Sequence, residues 1–162
     1  MSTTLTLKSL LARPNIVVAP GAPDSLTARL IQQLGFDAVY MTGLGVTAKH
    51  LGTPDLGLLT QTEMADHAKN MVRSVEIPVI ADADTGYGGP LNIQRTVYEY
   101  LSAGVAALHL EDQESPKRCG QLSGIRLVPL SEAKLRLKAA IASRGTDDLV
   151  IIGRTDALPL YG

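Results

Sequence analysis

Apolar positions along the chain fall into two alternating patterns. Short, near-continuous apolar runs read as buried strands, and longer stretches with apolar residues every three or four positions read as helices. The strand-like runs are 15–19, 37–41, 77–81, 106–110 and 149–153, and the predicted helices are 24–34, 62–74, 92–102 and 131–143. Asp24 or Ser25, and Ser131, stand where helix N-caps belong; Gly35 and Gly104 stand where helices stop. In the second helix Met64, Ala68, Met71 and Val75 form the apolar stripe. The Gly-rich stretch 42–61 predicts a helical turn at most, and 112–129 predicts a polar loop. A loop of that length is functional by default. Strands apolar on both faces and alternating with helices are parallel and covered on both sides. The fold class is therefore α/β, as a (β/α) barrel or an open doubly wound sheet.

Charge then narrows the picture, because it collects at the ends of three strands. Val79-Ile80-Ala81 runs into Asp82-Ala83-Asp84-Thr85-Gly86, Ala107-Leu108-His109-Leu110 into Glu111-Asp112, and Val150-Ile151-Ile152-Gly153 into Arg154-Thr155-Asp156. In parallel α/β barrels the carboxyl ends of the strands are where catalytic groups gather. Charges there need a partner or a metal to be tolerated beside a core. The pattern predicts one site assembled from several strands and holding a divalent cation.

Composition closes off other classes. At 162 residues the chain is expected to be one domain, 1–162. A net charge of −1 without a Lys/Arg-rich run leaves no electrostatic footprint for nucleic acid. Trp is absent, so base-stacking platforms are not expected either. No apolar run approaches the roughly 18 residues of a membrane span, and residues 1–13 lack the pattern of a signal peptide. The single cysteine, Cys119, rules out an internal disulfide framework and suits a reducing compartment. A cytoplasmic location is expected, with a mitochondrial one left open.

Asp82 and Asp84 are two apart, so an extended backbone would point both to one side. Adjacent carboxylates repel and favour a cation between them, or else they are solvated strand-end caps. Glu111 at the next strand end moves the balance to a metal, and all-oxygen donors suit Mg²⁺ or Mn²⁺. Asp55, in Gly52-Thr53-Pro54-Asp55, reads equally as an outer ligand or a turn residue. Arg154 is either a fork for a substrate carboxylate or an internal ion pair with Asp156 or Glu111. Cys119, flanked by Lys117, Arg118 and Gly120, is expected to favour its thiolate and act as nucleophile or general acid/base. A loop carrying it would close over substrate. His109 reads as a hydrogen-bonded core histidine, and His50 and His67 offer no constellation. Residues 43–48 fit the dinucleotide fingerprint G-x-G-x-x-A, but they follow the second strand and Gly52-Thr53-Pro54 interrupts the helix such a site requires.

Six ordered motifs together resemble the isocitrate lyase/phosphoenolpyruvate mutase superfamily, most closely its 2-methylisocitrate lyase-like branch. They are Tyr40-Met41-Thr42-Gly43, Gly52-Thr53-Pro54-Asp55, Ala81-Asp82-Ala83-Asp84-Thr85-Gly86-Tyr87-Gly88, Glu111-Asp112-Gln113, Lys117-Arg118-Cys119-Gly120 and Gly153-Arg154-Thr155-Asp156-Ala157. The resemblance implies a TIM-type (β/α)₈ barrel, here its N-terminal part, in a homo-oligomer, usually a tetramer with a swapped last helix. It implies Mg²⁺ on Asp82 and Asp84, with Asp55 and Glu111 reaching it through water. Tyr40, the Thr42-Gly43-Leu44 turn, Gly120 and Arg154 would bind a small carboxylate substrate. Cys119 would exchange a proton with the succinate-forming carbon beside Lys117, and Mg²⁺ would stabilise the enolate of the 2-oxo acid. The implied activity is carbon–carbon cleavage of a 2-hydroxy di- or tricarboxylate such as 2-methylisocitrate. Oxaloacetate hydrolysis or decarboxylation is the rival, and a non-catalytic truncated barrel is the other.

Three departures matter. Gln121 stands where the family has histidine, which puts lyase activity or its substrate in question. Leu44 replaces a glycine and narrows the room beside the substrate. Strands six to eight are missing, so the chain is expected to be incompetent for catalysis unless another chain completes the barrel.

Overall fold

A computed structural model of the chain describes residues 3–120 and 122–161. Five strands, β1 (Gly21–Ala22), β2 (Val39–Met41), β3 (Val79–Asp82), β4 (Ala107–Glu111) and β5 (Val150–Arg154), form one parallel sheet in chain order. Between and around them run α1 (Thr3–Leu11), α2 (Ser25–Gln33), α3 (Gly43–Leu51), α4 (Gln61–Ser74), α5 (Pro90–Ala103), α6 (Leu130–Arg144) and α7 (Leu158–Tyr161). The α/β class and the strand–helix alternation read from the pattern are borne out.

Side-chain alternation divides the sheet into two faces. Val39, Met41, Val79, Ala81, Leu108, Leu110 and Ile151 pack with α2, α4 and α5 residues in the main core. The residues between them, Tyr40, Ile80, Asp82, Ala107, His109, Glu111, Val150, Ile152 and Arg154, turn to the opposite, inner face. Its lower half is apolar: Leu7 of α1 is buried there against Ala106 and Ala107, with Ile80, Val150 and Ile152 packed around them. Its upper half is polar. The register sets Asp82 beside His109 and Glu111 beside Arg154. One face is thus closed below by α1 and charged above.

Three elements differ from the pattern. The first strand is not 15–19 but Gly21–Ala22, because the β2 register pairs Gly21 with Tyr40 and Ala22 with Met41 and β2 begins only at Val39. Ile16 is accordingly 89% exposed and Val18 53%. The stretch after β2 holds a full helix, α3, rather than a turn: Thr42 caps it by accepting from Gly45 N–H, and Gly52 closes it in the left-handed conformation. The helix α1, unpredicted, is held by the burial of Leu7 and Leu10. Among the described residues no helix is long and apolar enough to cross a membrane.

Candidate active site

The inner-face residues at the strand ends, with the loops that follow, enclose a cavity of about 350 Å³. Asp82 is its structural anchor. Its Oδ2 accepts from the backbone N–H of Gly43 and from the Tyr40 hydroxyl, each at 3.1 Å, and its Oδ1 accepts from Asp84 N–H at 2.9 Å. A Cβ on Gly43 would lie 2.5 Å from Asp82 Oδ2, so only glycine lets α3 begin so close to the carboxylate. The first turn of α3 therefore presents its positive end to Asp82. Of the fingerprint 43–48, the Gly43 N–H is taken by Asp82 and the Gly45 N–H by Thr42 Oγ1 at 3.3 Å, so two of the donors a dinucleotide phosphate would use already serve the chain itself.

Asp84 does not follow Asp82 by strand alternation as expected. The strand ends at Asp82, and Asp84 has φ +47 in the turn beyond it, a left-handed conformation that aspartate tolerates. The turn swings Asp84 towards a neighbouring cavity of about 390 Å³. Lys117 stands between the two cavities and lines both. Its ammonium is 2.5 Å from Asp55 Oδ2 and 2.7 Å from Asp84 Oδ1. Asp55 lines the cavity, and its Oδ1 also accepts from Gly57 N–H at 3.5 Å, so the position is compatible with both of its readings.

On the other side Arg154 makes both of the ion pairs that were its alternatives. Its Nε and Nη2 donate to the two oxygens of Asp156 at 2.9 and 3.2 Å, and Nη1 is 3.4 Å from Glu111 Oε2. Gly120 packs on this pair: a Cβ there would lie 2.7 Å from Arg154 Nη2. Cys119 is half-buried and lines the same cavity as Leu44, Thr42 and Gly120. Its backbone N–H donates to the Asp55 carbonyl at 2.9 Å, which docks the loop after β4 onto the loop after α3.

Burial sets the electrostatics. It pushes the Glu111 carboxyl up to about 8, against the pull of Lys117 and Arg154. Burial and the charge of Asp82 push Asp84 up as well, with Lys117 opposing. Burial also opposes ionisation of Asp82, but His109, Lys117 and the Asp84 N–H outweigh it and hold its carboxyl below the usual range. Burial works against charge on Lys117, yet Asp84, Asp82 and Asp55 keep it an ammonium. Burial keeps the Tyr40 phenol protonated, and it pulls the His109 imidazole below its ordinary range, with the Asp82 carboxylate opposing. His109 stacks on Tyr40 and shares a hydrogen bond with its hydroxyl, matching the reading of a hydrogen-bonded core histidine.

Sequence reading passed over Gln113 and the role of Asp112, and it foresaw Asp156 only as a partner of Arg154. Gln113 and Asp156, both buried, brace the loop and Arg154. Asp112 accepts from the Thr155 hydroxyl at 2.6 Å and Asp156 N–H at 3.0 Å, joining the ends of β4 and β5. The motif containing Glu111-Asp112-Gln113 was the available signal. His50 and His67, expected to have no constellation, meet at 3.1 Å between α3 and α4, outside the cavity. Gln121 lies outside the described residues.

No three His, Cys, Asp or Glu side chains among the described residues converge closely enough to hold a metal by themselves. The donor set fits a cation that keeps part of its water shell. Asp55, Asp82, Asp84 and Glu111 are all oxygen donors, all buried, and Glu111 Oε1 has no hydrogen-bond partner among the described residues. Mg²⁺ binds through one or two carboxylates plus waters, and a buried acidic cluster short of positive charge suits it.

This fold with a mouth of acidic strand ends defines a class, and comparison with known proteins gives the family. The phosphoenolpyruvate phosphomutase family profile matches residues 7–160, and the chain belongs to that family. It is 52% identical over its whole length to a 2,3-dimethylmalate lyase of Eubacterium barkeri, covering 56% of that protein. It is 43% identical to a 2-methylisocitrate lyase of Bacillus subtilis, with 93% of this chain and 49% of that one aligned. An oxaloacetate acetylhydrolase solved with 3,3-difluorooxalacetate superposes with TM-score 0.95 at 44% identity, over 99% of this chain and 56% of that one. A phosphonopyruvate hydrolase solved with oxalate and Mg²⁺ superposes with TM-score 0.88 at 31% identity, over 98% and 54%. The chain spans about half the length of the relatives it matches.

Proposed function

We propose that this chain carries the metal- and proton-handling half of a Mg²⁺-dependent carbon–carbon lyase acting on a small 2-hydroxy di- or tricarboxylate of the 2-methylisocitrate kind. The observation that carries the reading is the convergence of Asp55, Asp82, Asp84, Glu111, Lys117, Arg154 and Cys119 on two adjoining cavities. The named relatives, both lyases of branched hydroxy acids, support the substrate class. Residues 1–162 would form the N-terminal part of the barrel, and the complete assembly would be a homo-oligomer.

Mg²⁺ when bound supplies Lewis-acid stabilisation of negative charge on the substrate's 2-oxygen. Asp82 and Asp84 would hold it, with Asp55 and Glu111 behind water. Arg154 and the Thr42-Gly43-Leu44 turn, beside Tyr40 and Gly120, would orient a substrate carboxylate, and Lys117 would balance the acidic cluster. Cleavage would pass the 2-hydroxyl proton to a carboxylate of the cavity, turn the hydroxyl-bearing carbon into a carbonyl and leave an electron pair on the departing carbon. Cys119, lining the cavity, would deliver a proton there. Among the described residues Leu44 is the one large aliphatic side chain lining the cavity, and it would narrow the room beside the substrate there.

A second reading, hydrolysis or decarboxylation of oxaloacetate, is favoured by Gln121 in the family's histidine position and by the acetylhydrolase likeness. Release of pyruvate or glyoxylate from 2-methylisocitrate, 2,3-dimethylmalate and isocitrate, and of oxalate with acetate, or of pyruvate, from oxaloacetate, separates the two. The assay is run with and without Mg²⁺, on this chain and on any longer form of it. Turnover of a hydroxy acid that vanishes in Asp84→Ala is the expected result. Turnover of oxaloacetate alone would select the second reading, and no turnover by any form across the panel would sink both.

A further inference from the structure

The loop after β4 delivers Lys117 and Cys119 to the cavity, and its geometry turns on one buried amide. At the neck of the loop Gln113 bridges Leu127, flanked by Glu114 N–H to Arg126 O at 2.8 Å and Val128 N–H to Asp112 O at 2.9 Å. Arg136 of α6 donates to the Gln113 carbonyl at 2.9 Å. The backbone of Gln113 is therefore fixed, and its side chain, only 1% exposed, reaches forward. Nε2 donates to Arg118 O at 2.8 Å and to Asp156 Oδ2 at 2.6 Å, while Oε1 accepts from Arg118 N–H at 2.9 Å. Residue 113 so clasps residue 118 and encloses Lys117, and through Asp156 it reaches the carboxylate that orients Arg154.

We propose that Gln113 is a positioning residue whose amide latches the tip of the loop to the end of β5, setting where Lys117, Cys119 and Arg154 stand. The inference rests on the cavity being the reaction site. The chemistry of the three bonds admits a primary amide and little else. Two acceptors face Nε2 and a donor faces Oε1, and only an amide offers two donors and an acceptor in that arrangement. Glutamate would set an oxygen against the Asp156 carboxylate. Leucine would leave the part-buried Arg118 N–H and carbonyl without these partners, and asparagine is a methylene too short to span the gap.

Cys119 is the one cysteine of the chain, so its alkylation by iodoacetamide reads the loop at a single site. Measured well below the unfolding midpoint, Gln113→Glu and Gln113→Leu are expected to speed alkylation about tenfold or more, from two hydrogen bonds lost in the first and three in the second. Glu114→Ala removes only the exposed neck pair with Arg126 and should leave the rate unchanged. Alkylation of folded Gln113→Glu at the unmodified rate overturns the latch, and so does equal acceleration in Glu114→Ala. Should the Gln113 variants fail to fold, hydrogen exchange at the Arg118 amide of the unmodified protein decides. Protection is expected, and exchange as fast as in an open loop overturns the proposal. In an active form the variants should lower kcat more than they raise KM for a hydroxy acid. Alkylation and exchange need no substrate, so a failed lyase reading shows as absent turnover with the latch intact.

Discussion

The acidic residues of the cavity divide by what already satisfies them. Asp82 has both oxygens occupied by donors, and Lys117 answers Asp55 and Asp84. Glu111 is left with only a distant Arg154, and burial raises its carboxyl to about 8. A carboxyl raised in the folded state binds its proton more tightly there than in the unfolded chain. Its stabilising contribution is complete below the ordinary value of 4.5 and disappears as pH climbs through about 8. Without a divalent cation, the protein should lose on the order of 1 kcal/mol or more of stability between pH 5 and pH 8 through this group. Glu111→Gln should flatten that part of the profile in a denaturant titration at several pH values, and Mg²⁺ should flatten it in the unmodified protein. An unchanged slope in Glu111→Gln would show that Glu111 is not the titrating group.

At the scale of elements, the site depends on where α3 starts. Thr42 caps the helix and Gly43, next in the chain, donates to Asp82, so cap and carboxylate are mechanically one unit. Thr42→Ala should cost about 1 kcal/mol of stability from the lost cap. It should also weaken Mg²⁺ binding by calorimetry, since the helix end that fixes Asp82 frays. Binding unchanged at reduced stability would detach the cap from the site. Sequence pattern alone could not reveal this helix. Gly43, Gly45 and Thr47 are poor helix formers, and what holds α3 is burial of Val46 and Thr47 against other elements. Strand phase, in contrast, was legible. Asp82, Glu111 and Arg154 end apolar runs, and period-two alternation carries them and Tyr40 to one face. Asp84 escaped that logic because the chain has already turned at φ +47. The bond between Gln113 and Asp156 escaped it because the two lie 43 residues apart along the chain, across a loop without periodicity.

The whole molecule is a sheet with two unpaired edges among the described residues and an outer layer that leaves one helix unfinished. The inward face of α2 is buried through Ala28 and Ile31, while Leu26, Leu30 and Leu34 are exposed by 70%, 50% and 76%. Spaced four apart, the three leucines make a single stripe down the helix. Covering each fully is worth about 1.5–3 kcal/mol before the cost of association is subtracted. Summed over the stripe and counted on both copies of a symmetric contact, that gain is comparable to the cost of association. The chain is therefore predicted to self-associate through α2, in keeping with the homo-oligomer expected from its motifs. Leu30→Glu places a charge at the centre of the stripe, where burying it without a partner is prohibitive. Light scattering over a dilution series should show the unmodified chain as an oligomer and Leu30→Glu dissociating at concentrations about tenfold higher or more. Because Leu30 points away from the sheet, the unfolding midpoint of the dissociated variant measures what assembly adds to a fold whose own core is complete on only one side. Equal molar mass for both proteins at every concentration would place the interface elsewhere.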